Sequence, residues 1–343
     1  MKAIVTGATG GLGRNLTLRL LAEGWEVLAC GRNRQIGEKL ATEFHAFDLS
    51  DKSSVFQYWQ SADVVFHCAA LSSPWGRLAD FQAANVVATK NVIAAAEESG
   101  CQKFIHISTP SIYFDFADHL QVKENYVSEQ FVNFYAETKF QAEDIVAQSR
   151  LNSIILRPRA IFGEYDTALL PRLARLAKKG FLPLIKRKGR NAGDAIVDTT
   201  YVGNVVSAML NAATTDIPKD ILDSSGIPSE VNHGLFCKNK TPVFNITNNE
   251  PRTMLEILSM IKDVLRWQVR FKTVPYVFLD AAAKIMETLS PQSREPVLTR
   301  YSAAVTAFDQ TLDITSAQKY LHYQPIFSLS EGLERYAKHS ARH

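Results

Sequence analysis

Tyr135 and Lys139, four apart in YAETK, and Thr109 in HISTPSIY are the residues of this 343-residue chain whose types and spacing most readily do chemistry. On a helix, positions i and i+4 share one face, so a phenol and an ammonium would stand side by side. A nearby positive charge favours the phenolate. Such a phenol can hand a proton to a carbonyl oxygen and take it back in the reverse direction, while the Thr109 hydroxyl helps grip that oxygen. Ser108 and Ser111 compete for the hydroxyl's place. YxxxK alone is a common pattern, so its meaning depends on what else the chain provides.

It provides, at residues 3–13, the stretch AIVTGATGGLG. Residues 3–5 read as a short buried strand. Gly7, Gly10 and Gly13 follow three apart, and Leu12, Leu16, Leu18 and Leu21 then keep a helical rhythm that stops at Gly24. Glycines placed between a strand and a helix make a tight turn whose bare N–H groups face outward at a helix N-terminus, a site suited to a pyrophosphate. The turn Gly7, Thr9, Gly10, Gly11, Leu12 and Gly13 is therefore predicted to bind a dinucleotide. With an oxidised nicotinamide adding positive charge, Tyr135 is predicted to ionise well below its reference pKa of about 10.

The end of the second predicted strand, ACGRNR, bears on which dinucleotide. A carboxylate there accepts from the ribose 2′-hydroxyl of NAD, and arginine accommodates the 2′-phosphate of NADP. Gly31 stands where the acid would be, followed by Arg32, with Arg34 nearby. NADP(H) is favoured over NAD(H). Asp48, in FDLS, is read either as accepting from the adenine amino group or as a helix N-cap.

These residues need a frame. Strands are predicted at 25–31, 43–49, 62–70, 103–108 and 153–158, with helices between, notably 81–100 and 134–149. Such alternation predicts an α/β fold of the Rossmann type. Its doubly wound parallel sheet binds ligands at the strands' carboxyl ends. Residues 1–158 are predicted to form the dinucleotide-binding domain, and PVFNIT at 242–247 a late strand rejoining its sheet. Residues 159–343 then form mainly a smaller, discontinuous substrate lobe, with a surface excursion at 217–241.

Composition narrows the classes. A net charge of +3 is too small to imply nucleic acid. The first strand starts at residue 2, leaving no room for a signal peptide, and no apolar run reaches bilayer-spanning length. Cys30, Cys68, Cys101 and Cys237 lack metal or CxxC spacing, and His67 and His106 read as packed residues, so no metal is predicted. A cytoplasmic protein follows.

Ser72, Ser73 and Trp75, after the strand at 62–70, are candidates to line the substrate site. The basic stretch 172–190 reads as a solvated helix face, with attraction of an anionic substrate or membrane surface as the alternative. Residues 274–289 read as a core helix, the alternative being a lid over an acyl chain or a peripheral membrane contact.

Taken together, TGATGGLG, HCAA, ISTPSIY, YAETK and LRPRAIFG resemble the extended short-chain dehydrogenase/reductase superfamily. The likeness continues through VDTTYVGNVVSAML, VFNITNNEP and LHYQPIFSLSEGL, nearly the whole chain. The subgroup it resembles most holds 3β-hydroxysteroid and sterol dehydrogenases. It is also similar to bacterial 2-alkyl-3-oxoalkanoate reductases through STPS, LRPRAIFGEYDTALLPRL and LTRYSAAV. The resemblance implies that Gly7, Gly10 and Gly13 hold the pyrophosphate and Arg32 the 2′-phosphate. It gives Asp48 and Leu49 to the adenine and packs Ala69 and Ala70 along the cofactor. It makes Asn85 a helix residue fixing the active-site geometry. Thr109 and Tyr135 become catalytic, and Lys139 holds the nicotinamide ribose and lowers the tyrosine pKa. Many relatives have Ser at the place of Thr109, and YAETK replaces the commoner YxxSK; neither change removes a needed group. A homodimer through helices 81–100 and 134–149 is also implied.

The activity implied is interconversion of a hydrophobic ketone and a secondary alcohol. Two rivals share the fold. One is a sugar-nucleotide epimerase or dehydratase, against which stand Arg32 and the Pro110-Ser111 pair where dehydratases carry Asp-Glu. The other is a non-catalytic NADP(H)-responsive regulator, which has no need of a proton donor.

Overall fold

The computed structural model describes residues 1–217 and 241–341. Cys237 and all but the two ends of the excursion predicted at 217–241 lie outside the described residues.

Five strands come early in the chain: β1 (Lys2–Thr6), β2 (Glu26–Gly31), β3 (Glu43–Ala46), β4 (Val64–His67) and β5 (Lys103–Ile107). Two more, Ser153–Pro158 and Val243–Ile246, complete a seven-stranded sheet. Across the sheet the order is Val243–Ile246, Ser153–Pro158, β5, β4, β1, β2, β3, and each adjacent pair is parallel. Strand order reverses at β1, so the crevice beyond the carboxyl ends of β1 and β4 is the topological switch point where such sheets bind ligands.

The central strands are buried on both faces, which is why they read as continuous apolar runs. On one face Leu16 and Leu20 of α1 (Gly11–Ala22) pack with Val205 and Met209 of the helix Val202–Thr214. On the other, Val55 of α3 (Lys52–Tyr58) packs with Val92 and Ala95 of α5 (Ala88–Glu98) and Val146 of α6 (Phe134–Gln148). Each fully buried Leu or Val contributes roughly 1.5–3 kcal/mol. Between α4 (Leu78–Phe81) and α5 the helix widens into a π segment, Gln82–Val87, so the stretch predicted as one helix is three pieces. Such bulges re-aim a side chain, and this one contains Asn85.

The remaining strands form small sheets. One joins Arg252–Thr253, Ile196–Val197, Gln310–Leu312 and His119–Val122, and another pairs Phe181–Lys186 with Arg270–Pro275. The basic stretch 172–190 is not one helix face. It divides between the helix Leu169–Ala177 and that strand, and its last arginines pair with Asp118 and Asp309.

The core-helix reading of 274–289 is overturned. The helix Tyr276–Leu289 buries only Ala283 fully and leaves Val277, Phe278, Ile285 and Leu289 exposed. Its polar anchors explain the placement. Asp280 binds the Arg300 guanidinium at 2.8 Å and Glu287 accepts from the Arg300 amide at 2.7 Å, which ties one side to the short helix Arg300–Ala304. No helix among the described residues is long and apolar enough to cross a membrane.

Candidate active site

The glycine turn closes directly after β1. Gly7 has φ +69°, and a Cβ there would stand 2.7 Å from the Ala69 amide nitrogen, so the loop after β4 lies hard against the turn. A Cβ on Gly13 would collide with the Gly7 carbonyl. The Gly10 amide donates to that carbonyl at 2.9 Å, and Gly10 opens α1 with no side-chain cap. The first amides of α1 thus keep the free N–H groups a pyrophosphate needs, in a cradle any side chain would fill. These residues fit a dinucleotide.

At the end of β2, a Cβ on Gly31 would meet the Thr9 hydroxyl oxygen at 2.8 Å, so this position has no room for an acidic side chain. Arg32 is exposed and makes no hydrogen bond or ion pair among the described residues. Asp48 does not cap a helix. Its carboxylate accepts from the Ser50 amide and hydroxyl, both at 2.8 Å, while Asp51 caps α3. Leu49 is buried, and its carbonyl accepts from Asn91 at 2.9 Å. Ala69 and Ala70 line the loop between Gly7 and Leu71, half-buried.

Beside this cradle, two residues beyond β5, stands Thr109, whose hydroxyl oxygen accepts from the Ser111 amide at 3.1 Å and caps a short 3-10 turn, Pro110–Tyr113. The Thr109 hydroxyl lies beside the phenol of Tyr135, near the start of α6. It also donates to Ser111 Oγ at 3.0 Å, and Ser111 Oγ pairs with the Tyr301 hydroxyl at 2.7 Å. Thr109, Ser111 and Tyr135 therefore stand together. Ser108 does not join them; its buried hydroxyl has no partner among the described residues.

Lys139, one turn on from Tyr135, is buried and donates from Nζ to the Ile107 carbonyl at 2.6 Å. It also contacts His106 Nε2 at 3.1 Å. A charged ammonium only donates, so this His nitrogen must accept and the ring proton sits on Nδ1. Burial pushes the Lys139 ammonium down to about 8.

The Tyr135 pKa is pushed up to about 12, chiefly by burial, with the Thr109 hydroxyl only partly offsetting this. The Lys139 ammonium is directed to the end of β5 rather than to the phenol, so the protein alone does not supply the positive charge that would acidify it.

Asn85 positions this arrangement without touching its hydroxyls. Its Oδ1 accepts from the Leu71 amide at 2.7 Å and its Nδ2 donates to Thr138 Oγ1 at 3.0 Å, joining the loop after β4 to α6. Trp75 and Ser73 reach across to residues 291–295. Trp75 Nε1 donates to the Pro291 carbonyl at 3.3 Å and Ser73 Oγ to Glu295 at 3.3 Å, whereas Ser72 is exposed.

Sequence reasoning gave Tyr301 no role although it stands in LTRYSAAV, because its partner Ser111 lies 190 residues away. It also missed the buried pair beneath α6, where Arg157 Nε donates to Glu143 at 2.8 Å. The i+4 spacing of Lys139 and Glu143 was the one available signal.

A glycine-turn dinucleotide cradle and a Thr-Tyr-Lys set, on adjoining strands and helix at one sheet edge, define an NAD(P)-dependent oxidoreductase of the extended short-chain dehydrogenase/reductase class. Residues 3–222 match the model of the NAD dependent epimerase/dehydratase family, and the chain belongs to that family. It is 38% identical over 348 residues to the uncharacterized protein YbjS of Escherichia coli K12, covering 98% of this chain and 97% of that one. It is 31% identical over 352 residues to the 2-alkyl-3-oxoalkanoate reductase of Shewanella oneidensis, covering 97% and 84%. Among solved structures, UDP-glucuronic acid 4-epimerase from Bacillus cereus in complex with NAD superposes with a TM-score of 0.70 at 23% identity. That match covers 100% of this chain and 99% of the other, and at this identity it speaks for the fold.

Proposed function

We propose that this protein is an NADP(H)-dependent reductase of hydrophobic ketones, with 2-alkyl-3-oxo acids as the substrate class, running on Tyr135, Thr109 and Lys139. The observation that carries this is the juxtaposition of the Thr109 hydroxyl and the Tyr135 phenol at the carboxyl edge of the sheet. Two hydroxyls converging on one point can hold one carbonyl oxygen. A phenol pushed up to about 12 is fully protonated at neutral pH, which is the state a proton donor needs in the reducing direction.

The glycine turn and the free amides of α1 would hold the pyrophosphate. Arg32 would hold the 2′-phosphate, favoured by the bare Gly31, and Lys139 would hold the nicotinamide ribose. When bound, the reduced nicotinamide supplies the hydride. As the carbonyl oxygen gains negative charge, Tyr135 passes it a proton and Thr109 stabilises it by donation. The acid class rests on the reductase relative. Residues 159–343 form mainly the substrate lobe, and Trp75 and Ser73 form its rim. The protein is cytoplasmic and works as a homodimer through 81–100 and 134–149, where Val87 is 41% exposed.

The test is NADPH oxidation with a 2-alkyl-3-oxo acid, a 3-ketosteroid and a UDP-sugar. Tyr135→Phe is expected to retain NADPH binding and lose turnover by about 10²–10⁴-fold. Near-normal turnover in that variant, or activity with the UDP-sugar alone and no net NADPH consumption, overturns the reading.

A further inference from the structure

Arg159 stands beside the site just described, and the proposed reduction gives it no work. It follows the strand Ser153–Pro158, whose Leu156 pairs with Ile107 of β5, so Arg159 leaves the sheet next to Thr109. Only 7% of Arg159 is exposed. Its near neighbour Arg157 is equally sheltered and is neutralised by Glu143. Arg159 has no carboxylate within ion-pair distance among the described residues. Nη1 donates to Gln310 Oε1, while Nε is buried and, among the described residues, unpartnered, as is Gln310 Nε2. Asp198 is close enough to be felt, but one of its oxygens accepts from the Leu312 amide at 2.8 Å. The Tyr301 hydroxyl also lies in the field of the guanidinium, and the same hydroxyl is 2.7 Å from Ser111 Oγ. A chain of hydroxyls thus runs from Tyr135 through Thr109, Ser111 and Tyr301 toward Arg159.

A guanidinium buried without an anion is costly, and a buried N–H left without an acceptor adds to that cost. Such groups persist where a ligand completes them. The open Nε edge of an arginine is the fork that takes a carboxylate with two parallel hydrogen bonds. We propose that Arg159, flanked by Tyr301 and Gln310, is a carboxylate subsite that selects ketones bearing an acid group close to the carbonyl held by Thr109 and Tyr135. The inference rests on the ketone-reductase reading and deepens it, since a sterol ketone or neutral ketone would leave Arg159 unmatched.

The test separates the two. Wild type, Arg159→Met and Arg159→Lys are assayed with a 2-alkyl-3-oxo acid and its methyl ester, and titrated calorimetrically with decanoate and decanol. Wild type is expected to prefer acid over ester, and Arg159→Met to lower that preference about 100-fold, mainly through KM. Arg159→Lys, which keeps the charge and loses the fork, is expected to fall between them, and serves if the Met variant does not fold. Decanoate binding is expected in wild type and lost in Arg159→Met. An unchanged acid-to-ester ratio, or decanoate binding that is indifferent to both substitutions, overturns the subsite. If neither acid nor ester is reduced while decanoate still requires Arg159, the reductase reading falls and the subsite stands.

Discussion

Arg32 is the residue on which the proposed cofactor choice turns. It is exposed and unpaired, and Thr9 closes the adjoining space above Gly31 against an acid. One charge-assisted contact contributes about 1.5–3 kcal/mol, so Arg32→Ala is expected to weaken NADPH binding roughly 10–100-fold. NADH, which lacks the 2′-phosphate, is expected to be unaffected; fluorescence titration of both nucleotides checks this, and a parallel loss of both would assign Arg32 elsewhere. The setting of the Tyr135 phenol belongs to the same scale. Spacing places Tyr135 and Lys139 on one helix face, but it does not say which acceptor the ammonium reaches. The Ile107 carbonyl takes it, and burial then governs the phenol.

At the scale of elements, α6 must hold two functional side chains against the end of β5, and a buried ion pair anchors it. Glu143 binds Arg157 on the neighbouring strand, and Arg157 also donates to Tyr113 Oη at the 3-10 turn that follows Thr109. Tyr113 in turn donates to Asn245 at 2.8 Å on the late strand. Removing one partner leaves the other charge buried alone. Glu143→Ala is therefore expected to destabilise the fold by about 3–5 kcal/mol, read as a lowered urea midpoint. Little of this network was legible in the sequence. The parallel α/β sheet was readable because apolar runs alternate with amphipathic helices, and the glycine turn because its spacing is local. Tyr301, the π segment around Asn85 and the Arg157–Glu143 pair arise from tertiary contacts, and no periodicity encodes which buried charge meets which. The helix at 276–289 was misread for a related reason: apolar content suggests burial, yet Asp280 and Glu287 fix its orientation through Arg300.

For the whole molecule, the buried titratable groups of the sheet set how stability responds to acid. His67 bridges Thr6 and Thr89 at 2.8 and 2.9 Å, and burial pushes its pKa down to about 3. His106 is lowered too, first by burial and then by the Lys139 charge. Unfolded histidines titrate near 6.5, so between about pH 6.5 and 3 the unfolded chain binds more protons at both positions, and stability falls on acidification. Asp198 works in the opposite sense. Burial raises it to about 6, so below that pH the folded chain binds the extra proton. Between about pH 6 and 4 the two histidines outweigh the aspartate, so the unfolded chain binds more protons and stability falls on acidification. Urea midpoints across that window are expected to fall with pH in the wild type. They are expected to flatten in His67→Gln, which keeps polar partners for both threonines, and to fall more steeply in Asp198→Asn, where the opposing group is gone. A wild-type midpoint that rises on acidification would mean that Asp198, and not the neutral imidazoles of β4 and β5, dominates the acid response.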